Sequence, residues 1–487
     1  MTAQSMTAQQ GQKARLPGIL FMILALAKVS GLMFFGPLQQ PDSIAYLSYA
    51  HTILTDTGWL SDGAMNDFAV PQTVFRTFGY PALIAAAGFI TGKSGVALYV
   101  VVAIQLVVSL FATVMVYRLG LVLLRNMNLA LLAAAAHALS VTITYDQHIL
   151  TDSLFNALCV IGFTTPIIGF LQKRPPGPWL LLGLGIMLGY ACLVRGIGLY
   201  VLVFFAPAYI AWFVVAHEQT AKTMRGVLLL VLPLAIVIGG VMSWNTWRTG
   251  YTFFTTGAQY VLIQPLVKIE GRGTKVFDGD TPLDKLAQKY LKTYEYKEAV
   301  QITEALFTEY GINAYDSAKM HSQKYFSTLA SQPGAVLYHG VRNYEEGLVH
   351  QFFNVLDNAK IYFKFATGVK PWPGTKELWQ RARDERNPLD IVLILGLAIL
   401  RLVAWSSFLV LLIGVPVVVI RALRNGISLP ADVLAIFYCW GLYFAYSFGL
   451  SMIHMVDRFL PAVLAAGLVG SLFVWQQIWR IFRKNSH

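Results

Sequence analysis

Three cysteines are all that this chain holds, and their scarcity removes two classes of site. Cys159, Cys192 and Cys439 lie in or beside apolar runs without Cys-x-x-Cys spacing, so neither a disulfide framework nor a thiolate zinc or redox site is expected. Charged residues are also few, at 13%. The formal net charge is +12, but the basic residues are scattered around helix ends and through one long loop. A dense basic tract for nucleic acid is missing, and anionic lipid head groups fit better. No Gly-x-x-x-x-Gly-Lys-Ser/Thr string occurs; the nearest, Gly92-Lys93-Ser94, lacks the earlier glycine and the preceding strand of a phosphate-cradling loop. A Gly-x-Ser-x-Gly elbow is absent as well, and no Ser, His and acid set stands out for nucleophilic catalysis.

Apolar surface is what the chain has in quantity. Hydrophobic residues make up 56% of 487 and the mean hydropathy is +0.57, which excludes a water-soluble fold and implies an all-α, polytopic membrane protein. Apolar runs predict spans at Leu16 to Phe35, Gly95 to Tyr117, Leu129 to Ile143, Ser153 to Leu171, Trp179 to Val194, Ile197 to Val215, Val227 to Trp244, Val403 to Ile420, Ala431 to Leu450 and Phe459 to Trp479. That is about ten helices, within a range of roughly nine to thirteen, each near the ~20 residues a crossing requires. The polar stretch Met1 to Arg15 lacks a signal-peptide cleavage site, so the first span is expected to be retained. Lys13, Arg15, Arg118, Arg125, Lys173, Arg174, Lys222, Arg225, Arg421, Arg424, Arg480, Arg483 and Lys484 then fall on one side. By the positive-inside rule both termini are cytoplasmic.

The organisation that follows is an N-terminal transmembrane module at 1–244 with a first outer loop at 39–94, a helical cap at 245–389, and C-terminal spans at 390–487. Within the first loop, the apolar spacing of Ser43 to Leu54 suits a helix lying on the bilayer surface. Leu283 to Leu329 reads as short amphipathic helices, with few signals of an independent core. Residues 390–407 are ambiguous among one long tilted span, a separate span and an interfacial helix.

Two carboxylates reach the outer face from different parts of the chain: Asp42 in Pro41-Asp42-Ser43-Ile44-Ala45-Tyr46, directly after the first span, and Asp152 in Ile149-Leu150-Thr151-Asp152-Ser153. Either can merely cap a helix by accepting a free backbone N–H. Placed near hydrocarbon, however, carboxylates are costly and tend to be paired or functional. Arg76, Arg195, Arg248 and Arg458, with Lys268, Arg272 and Arg342 in the long loop, face the same side. One alone reads as snorkelling or ion-paired, whereas together they can hold a phosphate through bidentate bonds. His148 and His454 also face outward. With the aspartates they are conceivable metal ligands, but His-x-x-His and Glu-x-x-His spacings are missing, so no metal site is assigned and a divalent cation is left open as a cofactor. Asp56, Asp62 and Asp67 lie amid Gly and Asn and read as turn residues.

In this order the motifs resemble those of the GT-C membrane glycosyltransferases, in the branch of protein O-mannosyltransferases and the lipid A aminoarabinose transferase. Pro41-Asp42-Ser43 with Tyr46 is similar to the first-loop motif that carries that family's catalytic carboxylate. Arg76-Thr77-Phe78-Gly79-Tyr80-Pro81 resembles its Arg-x-Pro-Gly-Tyr-Pro element, with Phe78 for the first proline. Leu150-Thr151-Asp152-Ser153-Leu154-Phe155 resembles the second acidic motif, which more often has Glu. Asn245-x-x-Arg248-x-Gly250 with Phe253-Phe254-Thr255-Thr256-Gly257, and Asp457-Arg458-Phe459-Leu460-Pro461, resemble two later elements. The resemblance implies a polyprenyl-phosphate sugar donor, inversion at the anomeric carbon, and Asp42 as general base on an acceptor hydroxyl of a glycan, lipid or protein. Asp152 would orient an arginine, the acceptor or a cation. Arg76, Arg195, Arg248, Arg458 and Lys268 would hold the donor phosphate, and Tyr46, Tyr80, His148 and His454 would contact substrate. A transporter or flippase of a lipid-linked glycan is the alternative; it should show inverted repeats or broken midplane helices, and no convincing repeat is found.

Overall fold

The computed structural model describes residues 3–55, 73–216, 220–348, 380, 383–384, 388–424, 429–453 and 457–485. Helix follows helix, and among the described residues the only extended pairing is an isolated bridge between Leu38 and His148. The first half comprises α1 (Ala3–Phe35), α2 (Pro41–Thr55), α3 (Gly79–Thr91), α4 (Ser94–Leu124), α5 (Met127–Ala138), α6 (Thr142–Tyr145), α7 (Thr151–Gln172), α8 (Pro178–Val194), α9 (Gly198–Ala216) and α10 (Thr220–Thr249). The cap contributes α11 (Gly257–Tyr260), α12 (Ile263–Gly271), α13 (Pro282–Tyr290), α14 (Tyr296–Tyr310), α15 (Ala314–Ser331) and α16 (Pro333–Leu348). After it come α17 (Pro388–Leu409), α18 (Val415–Arg424), α19 (Ala431–Ser451) and α20 (Pro461–Asn485).

Eight of these helices are long and apolar enough to cross a membrane, and three shorter apolar ones accompany them, at Gly79–Thr91, Met127–Ala138 and Pro178–Val194. The all-α, polytopic architecture is therefore as the composition implied. At its centre stands α7, whose apolar window is 89% buried, surrounded by α4, α8, α9 and α20. The ends of α4 and α7 adopt the left-handed conformation at Arg125 (φ 50°) and Lys173 (φ 51°). That geometry costs about 1–2 kcal/mol outside glycine, and a cation beside the free C-terminal carbonyls offsets part of it.

Three expectations change, and one open choice is resolved. The run from Leu129 to Ile143 is not one helix: the Ser140 and Thr142 hydroxyls bond the His137 carbonyl at 2.7 and 2.9 Å, capturing an acceptor that the helix would otherwise use. Inside the first loop, Gly79–Thr91 forms an apolar helix that packs against α2 and α4. The Tyr80 hydroxyl donates to Gln105 Oε1 at 2.6 Å, so α3 starts beside the middle of α4 and the two form a hairpin. This accounts for the 31 residues of α4, about 46 Å at 1.5 Å per residue, well beyond a ~30 Å hydrocarbon core. The cap has a core of its own, built on residues such as Leu266, Leu286, Ile302 and Leu306. Residues 388–424 are continuous helix, joined through a π-helical turn at Val410–Gly414, so the ambiguous 390–407 stretch is part of one long element.

Candidate active site

The chain leaves α1, turns at Gly36 (φ 67°), and Leu38 pairs in parallel with the 147–149 segment: its N–H donates to the Gln147 carbonyl and its own carbonyl accepts the Ile149 N–H, both at 2.8 Å. Pro41 then opens α2, where its fixed φ and missing N–H suit a first helical turn. Ser43 Oγ accepts the Gln40 N–H at 2.9 Å, so a serine secures this helix end. The Asp42 carboxylate is left for other partners. Oδ1 accepts from Arg76 and Oδ2 from Arg458, each at 3.0 Å.

Asp152 stands in the first turn of α7, and its side chain does not cap that helix. It is 3% exposed, bonded to Arg195, and 4.0 Å from Arg458 Nε. Arg458 is thereby shared between the two carboxylates. Arg76 also donates to the Tyr46 hydroxyl at 3.0 Å and lies over the Tyr46 ring at 4.9 Å, while its Nε is buried with no hydrogen-bond partner. Phe459 underlies two of the guanidinium groups, Arg195 at 4.1 Å and Arg458 at 5.5 Å. Asn156 Nδ2 fixes the Arg458 carbonyl at 3.0 Å.

Burial and charge oppose each other at Asp42. Burial would raise its pKa; Arg76 and then Arg458 outweigh it, so the carboxyl stays below the ordinary carboxylate range and is ionised at neutral pH. The cost of burying Arg458 is likewise exceeded by its attraction to Asp152 and Asp42, which holds its pKa above the usual guanidinium value. Three guanidinium groups against two carboxylates leave one positive charge in excess. Asp42, at 35% side-chain exposure, is the most open member of the group.

The other motifs build the frame. Thr255 Oγ1 and Thr256 N–H bond the carbonyls of Phe75 and Val74 at 2.7 and 3.1 Å, and Thr77 Oγ1 bonds the Val194 carbonyl at 3.1 Å. Arg76 and Arg195 are thus carried on strands of chain stitched to each other. Gly79 is required at this crossing, because a Cβ there would lie 2.6 Å from the Leu193 backbone. Arg248 belongs to the same frame: its guanidinium bonds Asn245 Oδ1 at 2.9 Å and the Thr73 carbonyl at 2.9 Å, and stacks on Trp244 at 4.4 Å. It touches neither carboxylate.

The structure brings Asp42, Asp152, Arg76, Arg195, Arg458 and Tyr46 together. Tyr80 lies one layer below, edge-on to Tyr46 at 5.4 Å. His148 is buried and bonds the Thr144 carbonyl through Nδ1 at 2.8 Å, and burial lowers its pKa so that the ring is neutral. Lys268 is exposed on α12, where its charge bears on His339. His454 lies outside the described residues, as do Asp56, Asp62 and Asp67. Among the described residues no three His, Cys, Asp or Glu side chains gather as metal ligands, and a divalent ion bridging Asp42 and Asp152 would have to displace Arg458.

Two groups escaped the sequence reading. Lys28, inside the first apolar run, and Asp146, just ahead of the second acidic motif, form a buried ion pair. A lone lysine within a span was the visible signal.

No family model matches the sequence, and no curated protein does either. Among solved structures, the chain is similar to the Archaeoglobus fulgidus oligosaccharyltransferase in complex with Zn and sulfate, with a TM-score of 0.46 and 14% identity over 95% of this chain and 49% of that one. For the apo form of the same protein the values are 0.44 and 13%, over 96% and 51%. The chain therefore spans about half the length of these solved structures.

Proposed function

We propose that the protein is a membrane-embedded glycosyltransferase that moves a sugar from a polyprenyl-phosphate donor to an acceptor hydroxyl on the outer face of a bacterial cytoplasmic membrane. The observation that carries this reading is the single positive excess of the arginine–aspartate cluster around a partly open carboxylate. A polyprenyl-phosphate sugar is a phosphodiester with one negative charge, and it complements that excess. If α5 and α8 cross along with the eight long helices, both termini share the cytoplasmic side and the cluster lies at the opposite face.

The chemistry follows from the pairs. In the resting site both Asp42 oxygens are engaged by guanidinium groups. A donor phosphate competing for Arg458 frees Oδ2 to accept the proton of an acceptor hydroxyl, a role for which ~2.6–3.2 Å contacts are needed. The acceptor oxygen attacks the anomeric carbon from the face opposite the phosphate, so configuration inverts. The glycosidic C–O bond to phosphate breaks, and the leaving polyprenyl phosphate gains a second negative charge. Arg458, Arg195 and Arg76, preorganised by Phe459, Asp152 and Tyr46, stabilise that charge where little reorganisation is needed.

The test incubates purified protein with radiolabelled polyprenyl-phosphate sugars and a panel of lipid, glycan and protein acceptors. Covalent transfer with loss of carrier-linked label is the expected result. Movement of label across vesicles without transfer would replace this reading with a transporter.

A further inference from the structure

Lys28 and Asp146 do not touch the arginine cluster, yet they are the most completely buried ion pair among the described residues, each 1% exposed. A charge within a span is costly, and such residues usually serve function. The Asp146 carboxylate also accepts the Ser109 hydroxyl at 2.7 Å and the Ser153 hydroxyl at 2.5 Å. Gln105 Nε2 bonds the backbone carbonyls of Asp146 and His148, at 3.0 Å each. Residues 146–149 are therefore gripped through both side chain and backbone.

Both halves of the candidate site leave from this segment. Leu38 pairs with Gln147 and Ile149, and its chain reaches Asp42 four residues later. Asp152 follows Ile149 by three residues, next to the Ser153 that is bonded to Asp146. Asn156 Nδ2 holds the Arg458 carbonyl. Its Oδ1 is buried without a partner, beside a void with room for about one water that Ser109, Asp146 and Ser153 also line.

We propose that the Lys28–Asp146 pair is a positioning device that sets Asp42 and Asp152 in register with each other. Its kinetic consequence rests on the glycosyltransferase reading; its structural consequence does not. A carboxylate accepts from an ammonium and two hydroxyls at once; a neutral amide of the same shape accepts only through its Oδ1, so in a charge-neutral pair the ammonium contact is lost and one serine must turn from donor to acceptor.

The decisive variant is Lys28→Met/Asp146→Asn, which removes both charges and so avoids the penalty of leaving one buried alone. It is expected to fold, with a melting temperature within ~5 °C of wild type. Its kcat should fall about 10–100-fold, as for a misplaced catalytic group, while the donor KM moves less than about threefold. Independently of any activity, amide exchange at Leu38 and Ile149 should quicken by at least about tenfold with the rest of the bundle unchanged. A folded double variant with wild-type kcat, or with wild-type exchange at these two amides, overturns the proposal. If wild-type protein transfers no sugar from any donor, the glycosyltransferase reading fails, and the exchange comparison alone then decides the positioning role. Should the charge-neutral variant not fold, Ser109→Ala/Ser153→Ala keeps the ion pair, loosens its grip, and carries the same expectations.

Discussion

Two acid–base clusters sit close together in this protein and are built on opposite plans. Around Asp42, three guanidinium groups face two carboxylates, and the side chains are 19–35% exposed apart from Asp152. At Lys28–Asp146 one cation meets one anion, both 1% exposed, and two serines complete the carboxylate's bonds. The first has surplus charge and an opening. The second is balanced and closed. An ion pair taken out of water seldom stabilises more than a well-packed apolar pair would, so the inner pair makes sense as a device for geometry and the outer cluster as one for binding an anion.

Removing charge should separate the two most sharply. Asp42→Asn takes the proposed base away but raises the positive excess from one to two, so kcat should drop by about 10²–10⁴ while the donor KM stays level or falls. Full transfer activity in that variant, with purified protein and defined donor, would remove Asp42 from its role. Next in size is Arg458→Lys, which keeps the charge but cannot span Asp42 and Asp152 as a planar fork does. A loss of kcat/KM of about 10²-fold is expected. An unchanged value would mean that the shared guanidinium contributes only its charge.

A third, smaller effect tests the frame that carries Arg76 and Arg195. Gly79→Ala forces a Cβ to within 2.6 Å of the Leu193 backbone, and backbone cannot yield as a flexible side chain would. The expected cost is about 1–3 kcal/mol, seen as a lower melting temperature, with the Arg76–Asp42 pair displaced. By contrast, Gly239→Ala, which meets nothing within 4 Å, should be neutral.

How far these clusters were legible in the sequence differs for the same physical reason. Asp42, Asp152, Arg195 and Arg458 stand where an apolar run stops, and the positive-inside rule puts such ends on one face. The helical character of the bundle was equally plain from its hydropathy. The inner pair was not read, because Lys28 and Asp146 are 118 residues apart and only packing decides that α1 and the 146–149 segment meet. Arg248 shows the converse: its type and outward position matched the other candidate phosphate ligands, but its guanidinium bonds the Thr73 carbonyl 175 residues away. The break after α5 lay in Ser140 and Thr142, whose hydroxyls compete with a backbone that hydropathy alone would have kept helical.

The smallest effect belongs to buried groups that carry no charge at all, which complete the contrast. His321 is fully buried in the cap, edge-on to Tyr260 at 5.5 Å, and burial pushes its pKa down to about 4. His339 is depressed to about 4 as well, by burial first and then by Arg272 and Lys268. The folded cap therefore binds fewer protons than the unfolded chain between pH 6.5 and 4, and its stability is complete above that window and declines as pH falls through it. From pH 7 to 5.5 each histidine should remove roughly 1 kcal/mol. Melting followed against pH should show this slope in wild type and a shallower one in His321→Gln, the difference being the roughly 1 kcal/mol of one histidine. Asp42 should not contribute in that range, since Arg76 and Arg458 outweigh its burial and hold its carboxyl below the ordinary carboxylate range. An equal slope in both proteins would place the acid sensitivity elsewhere than in the buried, uncharged imidazole.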